Sequence, residues 1–250
     1  MTRIISFLNF KGGTGKTTTV VNLGMGLALR GYKVVAIDLD AQGSVATWLG
    51  TKYDKTVADL LEGRSVWPQC IVQARTRFDI IAADRQLANV EQLIISRQEK
   101  ADILGHRLAG IEKAGYDFIL LDCAPSINLL SESALYFSRE VFVPVSMEFL
   151  ALLGARLVII EVLRARRLMA GRAARLSLVI PTFYDQRYTK SKEILSMLQQ
   201  HFTGIISDPI RATPRLSEAP SRQLTIFEYD PAGPGSMDYT RLVERVLGHV

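Results

Sequence analysis

Near the start of the chain, Asn9-Phe10-Lys11-Gly12-Gly13-Thr14-Gly15-Lys16-Thr17-Thr18 separates an apolar run, Ile4-Ile5-Ser6-Phe7-Leu8, from apolar residues at helical spacing, Val20, Val21, Leu23, Met25, Leu27 and Leu29. Strand, glycine loop, helix is the context that a phosphate-binding loop requires. Glycines at 12, 13 and 15 let the backbone turn tightly and aim its N–H groups inward, with no Cβ in the way. A helix beginning near Lys16 adds unpaired N–H groups and the positive end of its dipole. Lys16 is placed to reach the β- and γ-phosphates, and the Thr17 hydroxyl to take one coordination position on Mg²⁺. Phe10 stands where the full G-x-x-x-x-G-K-T pattern has its first glycine. A tight turn without a ligand would leave two lysines in one glycine loop unexplained.

The extra lysine is informative. Residues 11–17, Lys-Gly-Gly-Thr-Gly-Lys-Thr, resemble the deviant Walker A motif of the ParA/MinD family of dimeric P-loop ATPases. The resemblance implies that Lys11 crosses a dimer interface to the partner's nucleotide, where a cation supplied in trans neutralises charge on the transferring phosphoryl group. It extends over almost the whole chain. It implies one ATPase domain over residues 1–250, ATP and Mg²⁺ as ligands, and nucleotide contacts from Lys11, Gly12, Gly13, Thr14, Gly15, Lys16, Thr17 and Thr18.

Two later strands end in carboxylates. Lys33-Val34-Val35-Ala36-Ile37 ends in an apolar run of the kind buried in parallel sheets and leads into Asp38-Leu39-Asp40-Ala41-Gln42-Gly43. Ligand groups of doubly wound sheets collect at that edge. The segment resembles the family's D-x-D-x-Q-G motif, which implies that Asp40 positions the attacking water and that Asp38 either supports the site from behind it or is structural; helix N-capping is the competing reading of such a pair. Tyr116 to Asp122 is four apolar residues and an aspartate after Tyr-Asp, a Walker B pattern in which Asp122 joins Thr17 at Mg²⁺. Cys123-Ala124-Pro125-Ser126 follows, where the family usually has Thr-Pro-Pro-Ser.

Between them, Thr56–Leu61 reads as a short helix, Phe78–Ala82 as a strand, and Arg85–Lys113 has helical apolar spacing. Trp48 and Trp67 read as packing residues. Val141–Val145 is a further strand. A long helix is expected from Glu148 to about Met169, with Leu150, Leu153, Leu157, Ile160 and Leu163 on its apolar side; relatives place dimer contacts in this region. Leu176–Thr182 is another strand. The alternation predicts an α/β fold: a doubly wound, mostly parallel sheet with helices on both faces.

The 250 residues, 48% hydrophobic and 22% charged, suit a soluble globular protein, and no apolar stretch approaches a membrane span. Cys70 and Cys123 match no metal or redox spacing and read as reduced core residues of a cytosolic protein. His106, His201 and His249 form no cluster. The net charge of +5 is uneven, with twelve Lys/Arg against five Asp/Glu between Arg156 and Arg222. That asymmetry suits a polyanion on one face of the C-terminal half; for Arg164, Arg166, Arg167, Arg172 and Arg175, a solvated helix surface explains the charge equally well.

Two C-terminal segments sharpen the resemblance. Phe183-Tyr184-Asp185-Gln186-Arg187-Tyr188-Thr189 looks like the family's aromatic-Asp-x-Arg-Thr turn with one extra residue, and Arg215-Leu216-Ser217-Glu218-Ala219-Pro220-Ser221 matches a block of chromosomal and small plasmid ParA proteins. The resemblance implies non-specific DNA contacts from Arg187 and Arg215, with ion pairing to Asp185 and Glu218 as the structural alternative. Arg211-Ala212-Thr213 replaces the family's Pro-Arg-Asn, which contacts adenine, so Thr213 becomes the candidate on the base side. The last helix, Tyr239–Val250, carries few cations and is expected to cover the sheet rather than bind a membrane.

These readings converge on a slow ATPase switch that forms a homodimer on ATP and binds DNA without sequence preference. A ParB-like adaptor would stimulate it, and it would be cytoplasmic and nucleoid-associated, with no membrane contact. The short segment before the loop leaves no expected room for an N-terminal helix-turn-helix domain. A MinD-like membrane switch, and a metabolic ligase or metallochaperone on the same scaffold, are the alternatives.

Overall fold

Valine- and isoleucine-rich segments of this chain are buried on both sides, which a parallel sheet covered by helices accommodates. In the computed structural model, which describes residues 2–96 and 102–248, the elements run β1 (Arg3–Phe7), α1 (Lys16–Leu29), β2 (Val34–Leu39), α2 (Ser44–Leu49), α3 (Val57–Glu62), α4 (Trp67–Cys70), β3 (Ile71–Arg75), β4 (Phe78–Ile81), α5 (Gln86–Ser96) and α6 (Ile103–Arg107). They continue with β5 (Phe118–Cys123), α7 (Leu129–Phe137), β6 (Glu140–Ser146), α8 (Phe149–Leu168), β7 (Arg175–Thr182), α9 (Thr189–His201), α10 (Pro214–Glu218), α11 (Ile226–Tyr229) and α12 (Pro234–Leu247). The expected helical stretch from Arg85 to Lys113 is thus divided, with part of it, and His249, outside the described residues.

The strands form one seven-stranded sheet in the order β3-β4-β2-β5-β1-β6-β7, parallel except where β3 meets β4. Strand β3 has no counterpart in the sequence reading. It is a short edge strand, half-buried except at the exposed Gln73 and irregular between Gln73 and Arg75, so it carries no clean alternation to detect. The order reverses at β1: β5 and β2 lie on one side, β6 and β7 on the other. Crevices for ligands open at such a switch point, beyond the C-terminal strand ends.

Alternate residues feed two cores. Ile4, Val35 and Ile37 face α3, α5, α7 and α8, whereas Ile5, Val34 and Ala36 face α1, α2 and α12. Tyr239, Leu242, Val243 and Val246 of α12 are buried in the second cluster, so its apolar face covers the sheet as expected. Cys70 and Cys123 are free and buried.

Helix α8 departs from expectation. Leu150, Leu153, Leu157, Ile160 and Leu163 all face outward, from 42 to 63% exposed. The helix seats instead through small residues, Ala151, Gly154, Ala155, Val158, Val162 and Ala165. Small side chains let the helix axis approach the sheet closely, and that contact takes precedence over the larger stripe beside it.

Candidate functional site

Strand β1 runs through the middle of the sheet, and its C-terminal end delivers the glycine loop to the switch point. Gly13 and Gly15 have φ of +72° and +84°, conformations closed to most side chains, and a Cβ at Gly12 or Gly13 would meet only open space. Gly15 caps α1 without a side-chain hydrogen bond, so the first-turn N–H groups of α1 remain available to an anion. The Lys16 ammonium is buried beneath the loop and donates to the Asn9 carbonyl at 3.1 Å and the Lys11 carbonyl at 3.5 Å. Burial lowers its pKa, while the Asp122, Cys123 and Asp40 charges act in the opposite direction. From β7, the Thr182 hydroxyl donates to the Thr14 carbonyl at 2.9 Å and ties the loop to the far side of the crevice.

The carboxylates arrive from neighbouring strands. Asp122 sits on β5 beside Phe7 of β1 and opposite Asp38 of β2. The Thr17 hydroxyl donates to Asp122 Oδ2 at 2.7 Å, and Asp122 Oδ1 is buried with no partner. An orphaned carboxylate oxygen next to a hydroxyl is a donor set suited to a hard divalent cation that completes its shell with phosphate and water oxygens. Burial pushes Asp122 up to about 7, with the Thr17 hydrogen bond and the Lys16 charge opposing it. Asp38 is also raised, first by burial and then by the Asp122 charge, although its carboxylate accepts from the backbone N–H groups of Asp40 and Val45. Asp38 thereby shapes the turn that presents Asp40, as expected of a structural residue. Asp40 itself is half-buried, accepts from Gln42 N at 3.0 Å and lines the cleft above the loop.

That cleft has a volume of about 240 Å³ and is bounded by residues 12–18, Asp40, Pro125 and Phe183. A second cleft of about 580 Å³ adjoins it at Thr18 and Phe183 and has Trp48, Thr213 and Pro214 in its walls. Phe183 belongs to both, and its ring would stand 3.4 Å from a Cβ at Gly15. Its φ of +54° is strained for a bulky residue, and strain of this kind gathers at functional sites. Thr213 lines the second cleft, but its hydroxyl accepts from Arg215 N as the cap of α10. Arg211 turns away: it and Arg241 clasp the buried Asp238 carboxylate of α12, anchoring the strip that carries Ala212 and Thr213.

Arg187 and Arg215 both lie on this side of the molecule. Arg187, with its side chain 80% exposed, forms a fork with Asp185 at 2.6 to 3.2 Å, which holds the Asp185 carboxyl down to about 2. Arg215 pairs with Glu218 at 3.0 Å and with the Tyr229 hydroxyl at 3.4 Å. Both ion pairs of the structural alternative therefore exist, and both arginines still present exposed guanidinium edges. Arg175 begins β7, at the strand edge opposite the glycine loop, and Arg164, Arg166 and Arg167 end α8 near it. The cationic half of the sequence is thus split between two ends of the sheet.

Four residues of this site escaped sequence reasoning. Asn9, Thr182 and Asp238 are buried polar side chains each with at least one partner far along the chain, and Phe183 was noted only as part of a turn motif. Trp48 both packs in the core and forms a cleft wall, its indole N–H donating to the Leu224 carbonyl.

A family profile described as an AAA domain matches residues 2–170. The chromosome-partitioning ATPase Soj of Treponema pallidum is 34% identical, with 99% of this chain and 98% of that protein covered. The chromosome partitioning protein ParA of Caulobacter vibrioides is 34% identical, with 98% and 94% covered. Among solved structures, cobyrinic acid a,c-diamide synthase from Mycobacterium smegmatis with bound ATP analog and magnesium superposes with a TM-score of 0.84 at 26% identity, over 100% of this chain and 96% of that one.

Proposed function

The chain belongs to the ParA family of partition ATPases, and from that membership we propose that it is a dimerising switch which grips DNA in its ATP state and positions a cargo along it. As a family member it is an ATPase of the partitioning and positioning type. The observation that carries the proposal is the junction of Thr17 and Asp122, an incomplete cation site at the foot of a glycine cradle. The residues fit Mg-ATP. Thr17 and Asp122 would hold Mg²⁺, which supplies charge neutralisation on the phosphates when bound. The N–H groups of residues 12–18 and the Lys16 ammonium bind the phosphate oxygens, with Thr18 and Thr213 toward the nucleoside. Asp40 orients the attacking water, and Lys11 reaches the nucleotide of a second subunit.

No residue of the cleft is a strong general base, so unstimulated hydrolysis is slow, as a timer requires. An adaptor of the ParB type accelerates it and releases the dimer. Closure aligns Arg187 and Arg215 of two subunits on one duplex, which makes DNA affinity depend on nucleotide state. The protein then works in the cytoplasm on the nucleoid. The membrane alternative would need an apolar face on the last helix, and that face of α12 is occupied by the sheet.

The test is a DNA mobility shift with ATP, with ADP and without nucleotide, comparing the wild type with Lys16→Ala and Arg215→Glu. Binding should require ATP and fail in both variants. A shift that ignores both nucleotide and substitutions would remove the proposal.

A further inference from the structure

One buried amide joins the lysine loop to the helix with the unpartnered stripe. Asn9 is fully buried two residues beyond the end of β1. Its Nδ2 donates to the Pro144 carbonyl of β6 at 2.8 Å and to the Ala151 carbonyl in the first turn of α8 at 3.3 Å. Its Oδ1 accepts from the backbone N–H of Lys11 at 3.0 Å, and its own carbonyl accepts from the Lys16 ammonium at 3.1 Å. These partners fix the amide's orientation, since a flipped group would set an oxygen against two carbonyls. Both lysines of the loop therefore take their bearings from one residue.

Helix α8 meets that residue at Gly154. A methyl group there would overlap Asn9 Oδ1 and would stand 3.1 Å from Lys11 N and 3.2 Å from Lys11 Cβ. Asn9 cannot step aside without giving up its two carbonyl partners. The glycine is needed for close approach and not for backbone freedom, because it lies within the helix.

We infer that Asn9, seated against Gly154, is a positioning residue that transmits the placement of α8 to Lys11. The inference rests on the reading of Lys11 as the group that acts on a second subunit's nucleotide. The outer face of α8 carries Leu153 and Leu157, both within one turn of Gly154, which is buried on the inner face. A second copy of the chain pressing on that outer face bears on the helix that sets Lys11. Lys16 keeps its hydrogen bond to the Asn9 backbone carbonyl and its place at the head of α1 when the Asn9 side chain is cut back, so binding and positioning are separable.

The experiment compares the wild type, Asn9→Ala, Gly154→Ala, the double variant and Leu104→Ala, a core truncation in α6 remote from the loop. Steady-state ATP hydrolysis, affinity for a fluorescent ATP analogue with Mg²⁺, sedimentation with a non-hydrolysable analogue, and melting are measured for each. Both single variants should lose about tenfold or more in kcat and in the dimer population, with KM and analogue affinity within about threefold of wild type. The double variant should be no worse than Asn9→Ala, because removing Oδ1 removes the main obstacle to the added methyl. Leu104→Ala should melt lower with kcat within about twofold, as expected of a purely structural loss.

Wild-type kcat in either single variant overturns the inference. So does a kcat loss that Leu104→Ala reproduces at the same melting temperature, or a rise in KM at constant kcat. If the wild type itself fails to associate with the ATP analogue, the two-subunit reading fails and takes this inference with it. Normal wild-type association with unaltered variants overturns the positioning role alone.

Discussion

Asp38 and Asp122 stand opposite each other on adjacent parallel strands, both sealed from solvent, and only Asp38 has its oxygens fully engaged. Two carboxylates in this position repel each other when both are charged, so the nucleotide-free site favours a proton on the pair. Asp122, raised to about 7, holds more protons folded than unfolded between about pH 4 and pH 7. Its contribution to stability is therefore present at low pH and is lost as pH rises through about 7. A cation must displace that proton. Mg²⁺-dependent ATP binding should strengthen from about pH 6 to about pH 8 and level off above, as calorimetry at several pH values would read. Asp122→Asn should flatten this profile, abolish the metal dependence, and raise the melting temperature of the nucleotide-free protein near pH 8. An equally steep profile in the variant would assign the proton elsewhere.

Phe183 is half exposed, so truncating it should cost little stability. Its ring nevertheless borders both clefts beside Gly15. Phe183→Ala should weaken ATP binding by about 3- to 10-fold, the range of one aromatic contact, and shift melting by no more than a few degrees. Equal affinity in a fluorescence titration would remove the ring from the nucleoside side.

The outward stripe of α8 is larger than isolated surface leucines require. Leu157→Glu should leave monomer stability within about 0.5 kcal/mol and reduce ATP-dependent self-association by about tenfold or more. Sedimentation with and without ATP would decide. Unchanged association in both Leu153→Glu and Leu157→Glu would place the interface elsewhere.

Arg187 and Arg215 each hold an acidic neighbour, so binding to phosphate must compete with those pairs. If each protomer of a dimer neutralises two or three phosphates, DNA affinity should fall about 10²- to 10³-fold between about 50 and 200 mM salt. Arg187→Ala and Arg215→Ala should each reduce the slope of log affinity against log salt by about one for every phosphate left without its arginine, without altering ATP affinity. Slopes equal to wild type would leave these arginines to Asp185 and Glu218.

Much of the site was legible because its parts are local. The glycine loop, the two strand-terminal aspartates and the alternation of strand and helix each rest on neighbours within a few residues, and a buried parallel strand advertises itself as an unbroken apolar run. Thr17 and Asp122 could be paired in advance because both ends of that contact belong to such motifs. Strand β3 was not legible: a half-buried edge with an irregular register carries neither alternation nor an apolar run.

The amino-acid order alone determined the phosphate loop, the chemistry of its lysines and carboxylates, and the class of sheet that brings them together. Only the tertiary structure decided which stripe of α8 faces inward, that Arg211 serves Asp238 rather than the cleft, and that Asn9 sits between Gly154 and Lys11. Each of these depends on shape and distance between segments far apart in the chain. Periodicity records that a helix has an apolar side; it does not record which of two apolar sides lets the helix approach more closely.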